Sequence, residues 1–154
     1  MKLETMNSAR AFPVADTEAE TGITELKVVR LTLKQMKAAY TAFEDRAREL
    51  ARNEFVAVSK TMPRDMQHPF LVMASKANTV ADPAAVEAVT DSGFGIVTVL
   101  AMATTVPVPE LERMLAQDMA TLDMARYHAM GVDVDALTKA MADAETKTGG
   151  TFPQ

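Results

Sequence analysis

The sequence predicts a mainly α protein: a small helical domain with a short N-terminal extended segment or strand and flexible termini. Three observations lead there. An apolar fraction of 48% beside a charged fraction of 24% lies near the globular average, so the centre of the chain has the means to bury a core. Apolar residues recur at spacings of three and four through most of residues 32–146. Helix-breaking residues fall between those runs, at Pro63, Pro83, Pro107 and Gly131, where they delimit elements. A chain of 154 residues accommodates one such domain, expected over 22–146, between a flexible arm at 1–21 and a flexible tail at 147–154.

The arm carries Asp16, Glu18 and Glu20 among small residues and shows neither a helical nor a strand period. After Gly22, ITELKVVRL sets Ile23, Glu25, Lys27 and Val29 against Thr24, Leu26, Val28 and Arg30, with frequent β-branching, which predicts a short strand or extended segment. Thr32 followed by Gln35 has the form of a capping box and opens a long helix. Leu33, Met36, Tyr40, Phe43, Ala47 and Leu50 form its apolar stripe, which shifts by one residue to Ala51, Phe55, Val58 and Met62. Glu44, Asp45, Arg46, Arg48, Glu49 and Arg52 make a solvated face of mixed sign, with pairs such as Glu44 and Arg48.

Pro63 ends this helix, and Pro69 marks the first turn of a shorter one reaching about Val80. Asp82 before Pro83 starts another, PAAVEAVTD, closed by TDSG. In FGIVTVLAMATTV the residues Ile96 to Val99 favour strand locally, whereas the length favours a buried helix; helix is the prediction. The run is too short to cross a bilayer and serves as the central core element. Pro109, with Glu110 and Glu112 near the positive end of the dipole, opens the next helix, whose Leu111, Met114 and Leu115 share a face. Asp118 is the N-cap of a further helix carrying Met119, Leu122, Ala125, Arg126 and Ala129, and Gly131 stops it. Asp133 or Asp135 caps the last helix, VDALTKAMADAE.

Composition also narrows function. With no cysteine there is no disulfide, thiolate metal site or cysteine nucleophile. A net charge of −5 and a pI near 5.0 argue against nucleic acid as partner. MKLETMNSAR lacks the apolar region of a signal peptide, so a soluble, intracellular protein without a membrane partner is expected. His68 and His128 lie in no zinc-binding pattern, and His128 is expected at the surface or in a helix's last turn. GFG at 93–95 continues to Thr98 where a dinucleotide fingerprint needs glycine, and no serine sits in a nucleophile elbow. Asp118 and Asp123, five residues apart, do not share a helix face. No catalytic, cofactor-binding or metal-ligating residue is therefore expected, and the protein is expected not to be an enzyme. The 12 methionines, with no Trp, are expected mostly as core filler, the alternative being a surface that adapts to varied apolar helices.

Residues 100–124, LAMATTVPVPELERMLAQDMATLDM, form an apolar helix, a short break, then Leu111, Leu115, Asp118 and Leu122 in the pattern E-L-x-x-M-L-x-x-D-M-x-x-L. This resembles the C-terminal region of the tail assembly chaperones of contractile-tailed phages and prophages, of the Mu-like and P2-like kinds. GITELKVVRLTLKQMKAA, residues 22–39, is similar to the extended segment that leads into the first long helix of that family, but Arg30, Leu31 and Thr32 replace its usual basic residue and proline. The likeness covers about half the chain.

The resemblance implies a protein that binds the long helical tape measure protein, and possibly meets the tail tube protein, in the host cell cytoplasm. It would keep the client soluble until the tube polymerises and be absent from the mature virion; a homo-oligomer is compatible with this role. Two other readings stand beside it: a helical chaperone or adaptor for another client, and a small DNA-binding regulator of a mobile element using Arg46, Arg48 and Arg52 as phosphate contacts. A small enzyme with an unrecognised carboxylate site is a further alternative.

Overall fold

The computed structural model describes residues 9–15 and 22–149. Two strands, β1 (Arg10–Pro13) and β2 (Glu25–Val28), are followed by helices α1 (Leu33–Ser59), α2 (Arg64–Ala77), α3 (Pro83–Thr90), α4 (Gly93–Ala103), α5 (Val108–Gln117), α6 (Met119–Ala129) and α7 (Val134–Gly149). The protein is mainly α with a short antiparallel pair near its N-terminus, as the periodicity predicts. Contacts divide the span expected to be one domain into two compact units. The first comprises residues up to Thr32 together with Val99 onward, and the second runs from Leu33 to Thr98.

In the first unit, β1 and β2 pair with Phe12 opposite Leu26. Leu26 and Val28 are buried while Glu25 and Lys27 are exposed, which is the alternation anticipated for this segment. β1 corrects the sequence reading of 1–21 as a flexible arm without period. Phe12 and Val14, two residues apart, are both buried, and the Val14 amide donates to the Thr24 carbonyl at 2.9 Å. Four residues including a proline give too short a pattern to separate from irregular chain. Residues 1–8 and 16–21 lie outside the described residues.

The chain beyond β2 remains extended and satisfies two helix ends. Val29 N–H donates to the Ala103 carbonyl closing α4, and Leu31 N–H to the Ala129 carbonyl closing α6, which would otherwise lack partners. α6 packs against the hairpin, α5 and α7 through the buried Leu122, Ala125 and Ala129. With Leu111 and Met114 of α5, these form a core in which each large apolar side chain contributes about 1.5–3 kcal/mol. Asp118 caps α6 by accepting from the Thr121 amide at 3.3 Å. At the other end Val132 donates to the Tyr127 carbonyl and Gly131 to that of His128; this closure requires the positive φ of 90° that Gly131 adopts. Asp133, and not Asp135, caps α7, accepting from the amides of Asp135 and Ala136. α7 continues to Gly149, into the span expected as a flexible tail from 147; residues 150–154 lie outside the described residues.

In the second unit α1 packs against α2 and α3. Ala39, Phe43 and Ala47 are buried, but the predicted stripe is only partly inside: Leu33, Tyr40, Leu50 and Val58 are exposed. Ala39, Phe43 and Ala47 follow one another at i,i+4, so the buried face centres on Phe43 rather than on the longer side chains. α2 starts one turn earlier than anticipated, after Pro63, and contains Pro69 in its interior, where the ring removes one helical hydrogen bond. Phe55 of α1 meets Phe70 of α2 edge to face at 6.4 Å. Arg48 donates to the Thr79 carbonyl at 3.1 Å while Asn78 donates to the Arg48 carbonyl at 3.0 Å, tying the chain after α2 to α1. Arg48 also pairs with Asp45 and Arg46 with Glu49, both in i,i+3 contacts.

Of residues 94–106, ambiguous between strand and helix, 94–103 are helical and 104–106 are not. α3 and α4 meet at 64°. No single helix is long and apolar enough to cross a membrane; α3 and α4 together meet the length and composition criteria, but Val86, Val89, Ile96 and Leu100 are buried in the protein.

Candidate functional site

The second unit contains an apolar groove of about 470 Å³ between α1, α3 and the start of α4. Four alanines keep it open. Ala47 and Ala51, one turn apart on α1, and Ala85 and Ala88 on α3 leave a space that longer side chains would close. Leu50, Val89 and Phe94 supply its apolar walls, and Arg46 and Glu54 stand at its lining as opposite charges eight residues apart on α1. Those two positions are about 12 Å apart along the helix axis.

The corner between α3 and α4 aims Phe94 at this groove, and the corner depends on Gly95. A Cβ there would lie 2.2 Å from the Thr90 carbonyl oxygen, so only glycine lets α4 start this close to the end of α3. Ser92 stabilises the same turn, donating to the Val89 carbonyl at 2.6 Å. The Phe94 ring, 42% exposed, lies under the Arg46 guanidinium at 5.4 Å, and Arg46 also donates to Glu49 at 3.0 Å. The aromatic face is thereby held in place while remaining accessible. Sequence reading places Leu50 in a buried stripe and Phe94 in a core helix. The available signal for the groove is the i,i+4 alanine pair on α1, which only matters once α3 is known to lie beside it.

Further apolar side chains of this unit are exposed. Met66 and Met73 are seven residues apart on one face of α2, at 55% and 68% exposure. Methionine is expected mostly as core filler, and Met36, Met62, Met102, Met124 and Met130 are half-buried. Among the described residues Met114 is the one buried methionine, whereas Met66, Met73, Met119 and Met141 are exposed. A flexible thioether packs well wherever a surface is irregular, so composition cannot separate core from contact surface.

The residues that carry the family resemblance have structural roles. Leu111 and Leu122 are fully buried, Leu115 is half-buried, and Asp118 caps α6 while also accepting from the Ala15 amide at 3.1 Å. Burial alone would raise the Asp118 pKa, but the amides of Ala15 and Thr121 outweigh it and hold the carboxyl below its usual range.

His128 is in the last turn of α6, as anticipated, but is not at the surface: it is buried against Phe12, with ring centroids 5.7 Å apart. The apolar partner comes from β1, the strand that sequence reading missed. Arg46 and Arg48, the phosphate contacts of the DNA-binding reading, are engaged as described above. Among the described residues no cluster of three or more His, Asp or Glu side chains is placed to hold a metal ion. No family model, curated protein or solved structure matches the chain.

Proposed function

We propose that the protein is a binding module for an amphipathic helix, acting as a tail assembly chaperone that keeps the tape measure protein soluble before the tail tube polymerises. The observation that carries the binding role is the open apolar groove between α1 and α3, with Leu50 and Phe94 accessible and Met66 and Met73 exposed on α2. An apolar side chain from a client helix would enter over the alanines, and methionines would adapt to successive segments of a long client. The assignment of the client rests on the resemblance of residues 100–124 to the chaperone family. Modest affinity at each segment, multiplied along the client, gives retention that a growing tube can displace. The net charge of −5 would keep the complex soluble. Such a protein acts in the host cytoplasm and leaves before the virion is complete.

A chaperone or adaptor for another helical client would use the same groove, and partner identity separates the two. The experiment is a tagged pull-down with mass spectrometry from cells expressing the surrounding operon. Recovery of a long helical tail protein supports the proposal; recovery of an unrelated helical client moves the assignment to the adaptor reading. Recovery of no client from an intact, expressed operon contradicts both.

A further inference from the structure

We infer that His128 is a pH-responsive latch on the β-hairpin, whose protonation releases β1 from both α6 and β2 while the rest of the first unit stays folded. Beyond its pairing with β2, β1 and the residues after it are held at three places. Arg10 donates twice to the Asp135 carboxylate, at 2.8 and 3.1 Å. Ala15 N–H donates to Asp118. Between these polar anchors the Phe12 ring, itself buried, lies tilted by 57° against the His128 imidazole.

His128 is only 8% exposed, and its Nε2 is buried with no hydrogen-bond partner. The imidazolium would carry an N–H on that nitrogen and a full charge beside an apolar ring, and the site supplies no acceptor for it. The charged groups facing it are Arg10 from β1, Arg30 from the segment after β2, and Asp135 from α7. Asp135 and the carbonyl end of α6 favour the cation. Burial first, then Arg30 and Arg10, oppose it and prevail, holding the imidazole below its ordinary value of 6.5.

Lifting β1 away removes Phe12 and opens the ring to water, where it protonates at its ordinary value. The open form therefore binds more protons than the closed form between the two values. Closure is strongest above about pH 6.5 and weakens as the pH falls from there toward the depressed value of the closed state. One proton per opening limits the rise in the open population to about tenfold per pH unit. Asp118 and Asp135 are both held below the usual carboxylate range, so the outer anchors keep their charge through this window.

The test is native-state hydrogen exchange by NMR on the full chain at about pH 7.5 and about pH 5.5, corrected for the intrinsic pH dependence of exchange. The Val14 amide, bonded to Thr24, reports β1; the Leu31 amide, bonded to Ala129, reports the rest of the unit. Acid should increase Val14 opening several-fold or more in the wild type, leave Leu31 unchanged, and have no such effect in His128→Phe, which retains His68. Equal pH dependence in the variant, or Val14 and Leu31 opening together, overturns the latch. If the variant fails to fold, the wild-type imidazole titration decides: a midpoint clearly below 6.5 supports the latch, and one at or above it overturns it.

Discussion

The two units use apolar side chains in opposite ways. Most of the largest fully buried side chains, Leu26, Val28, Val99, Leu100, Leu111, Met114 and Leu122, belong to the first unit, and Phe43 and Ile96 to the second. Among the described residues the exposed large hydrophobics reverse this, with ten in the second unit and four in the first. A unit that ties its hairpin down with side-chain contacts and closes its helix ends with caps is complete in itself. One that leaves Leu50, Phe94, Met66 and Met73 at the surface has apolar area to offer a partner.

The same substitution made in both units should separate them most clearly. Leu122→Ala removes a fully buried side chain of α6 and should cost about 2–5 kcal/mol in urea denaturation. Leu50→Ala, at 44% exposure, should cost far less; similar losses at the two sites would mean that Leu50 belongs to a core after all.

Gly95→Ala comes next. The added methyl meets the Thr90 carbonyl and must push α4 away from α3, at about 1–3 kcal/mol, and it should distort the groove around Phe94. Unchanged stability together with an unchanged Phe94 environment by NMR would remove the argument for that corner.

Asp118→Ala should lose about 1 kcal/mol through the α6 cap, and it also removes the acceptor of the Ala15 amide. Because this carboxyl is held below its ordinary value of 3.8, its contribution is present above that value and disappears as the pH falls through the depressed one. Asp118→Asn, which keeps an acceptor, should abolish that pH dependence while retaining part of the stability. An unaltered acid profile would contradict the assigned role.

The smallest effect is expected at Met73→Ala, within about 0.5 kcal/mol, because its side chain is mostly in water. A larger loss would place Met73 in packing that its exposure does not indicate.

What the sequence made legible follows the same division. Helix ends fixed by local chemistry were readable: Asp118 as a cap, Gly131 as a stop, and the Pro107 and Pro109 punctuation. The alternation in residues 25–28 likewise identified β2. Features that depend on a distant partner were not. β1 is strand because β2 and α6 receive Phe12, and His128 is buried for the same reason. On α1, a spacing of three and four gives one stripe to both core and contact residues, so Phe43 and Leu50 look alike until the neighbouring helices are in place. The groove exists only where two alanine-bearing helices meet, and neither helix announces it alone.

Under the proposed function the second unit, and not the first, would dock a helical client. The direct measurement is the soluble yield of the tape measure protein co-expressed with wild type, with Leu50→Asp in the groove, and with Met119→Asp, which places the same charge at an exposed apolar position of the first unit. Thermal melts would establish that all three chaperone variants are folded. A soluble client is expected with wild type and Met119→Asp and an aggregated one with Leu50→Asp; equal client solubility with all three would overturn the proposed docking role.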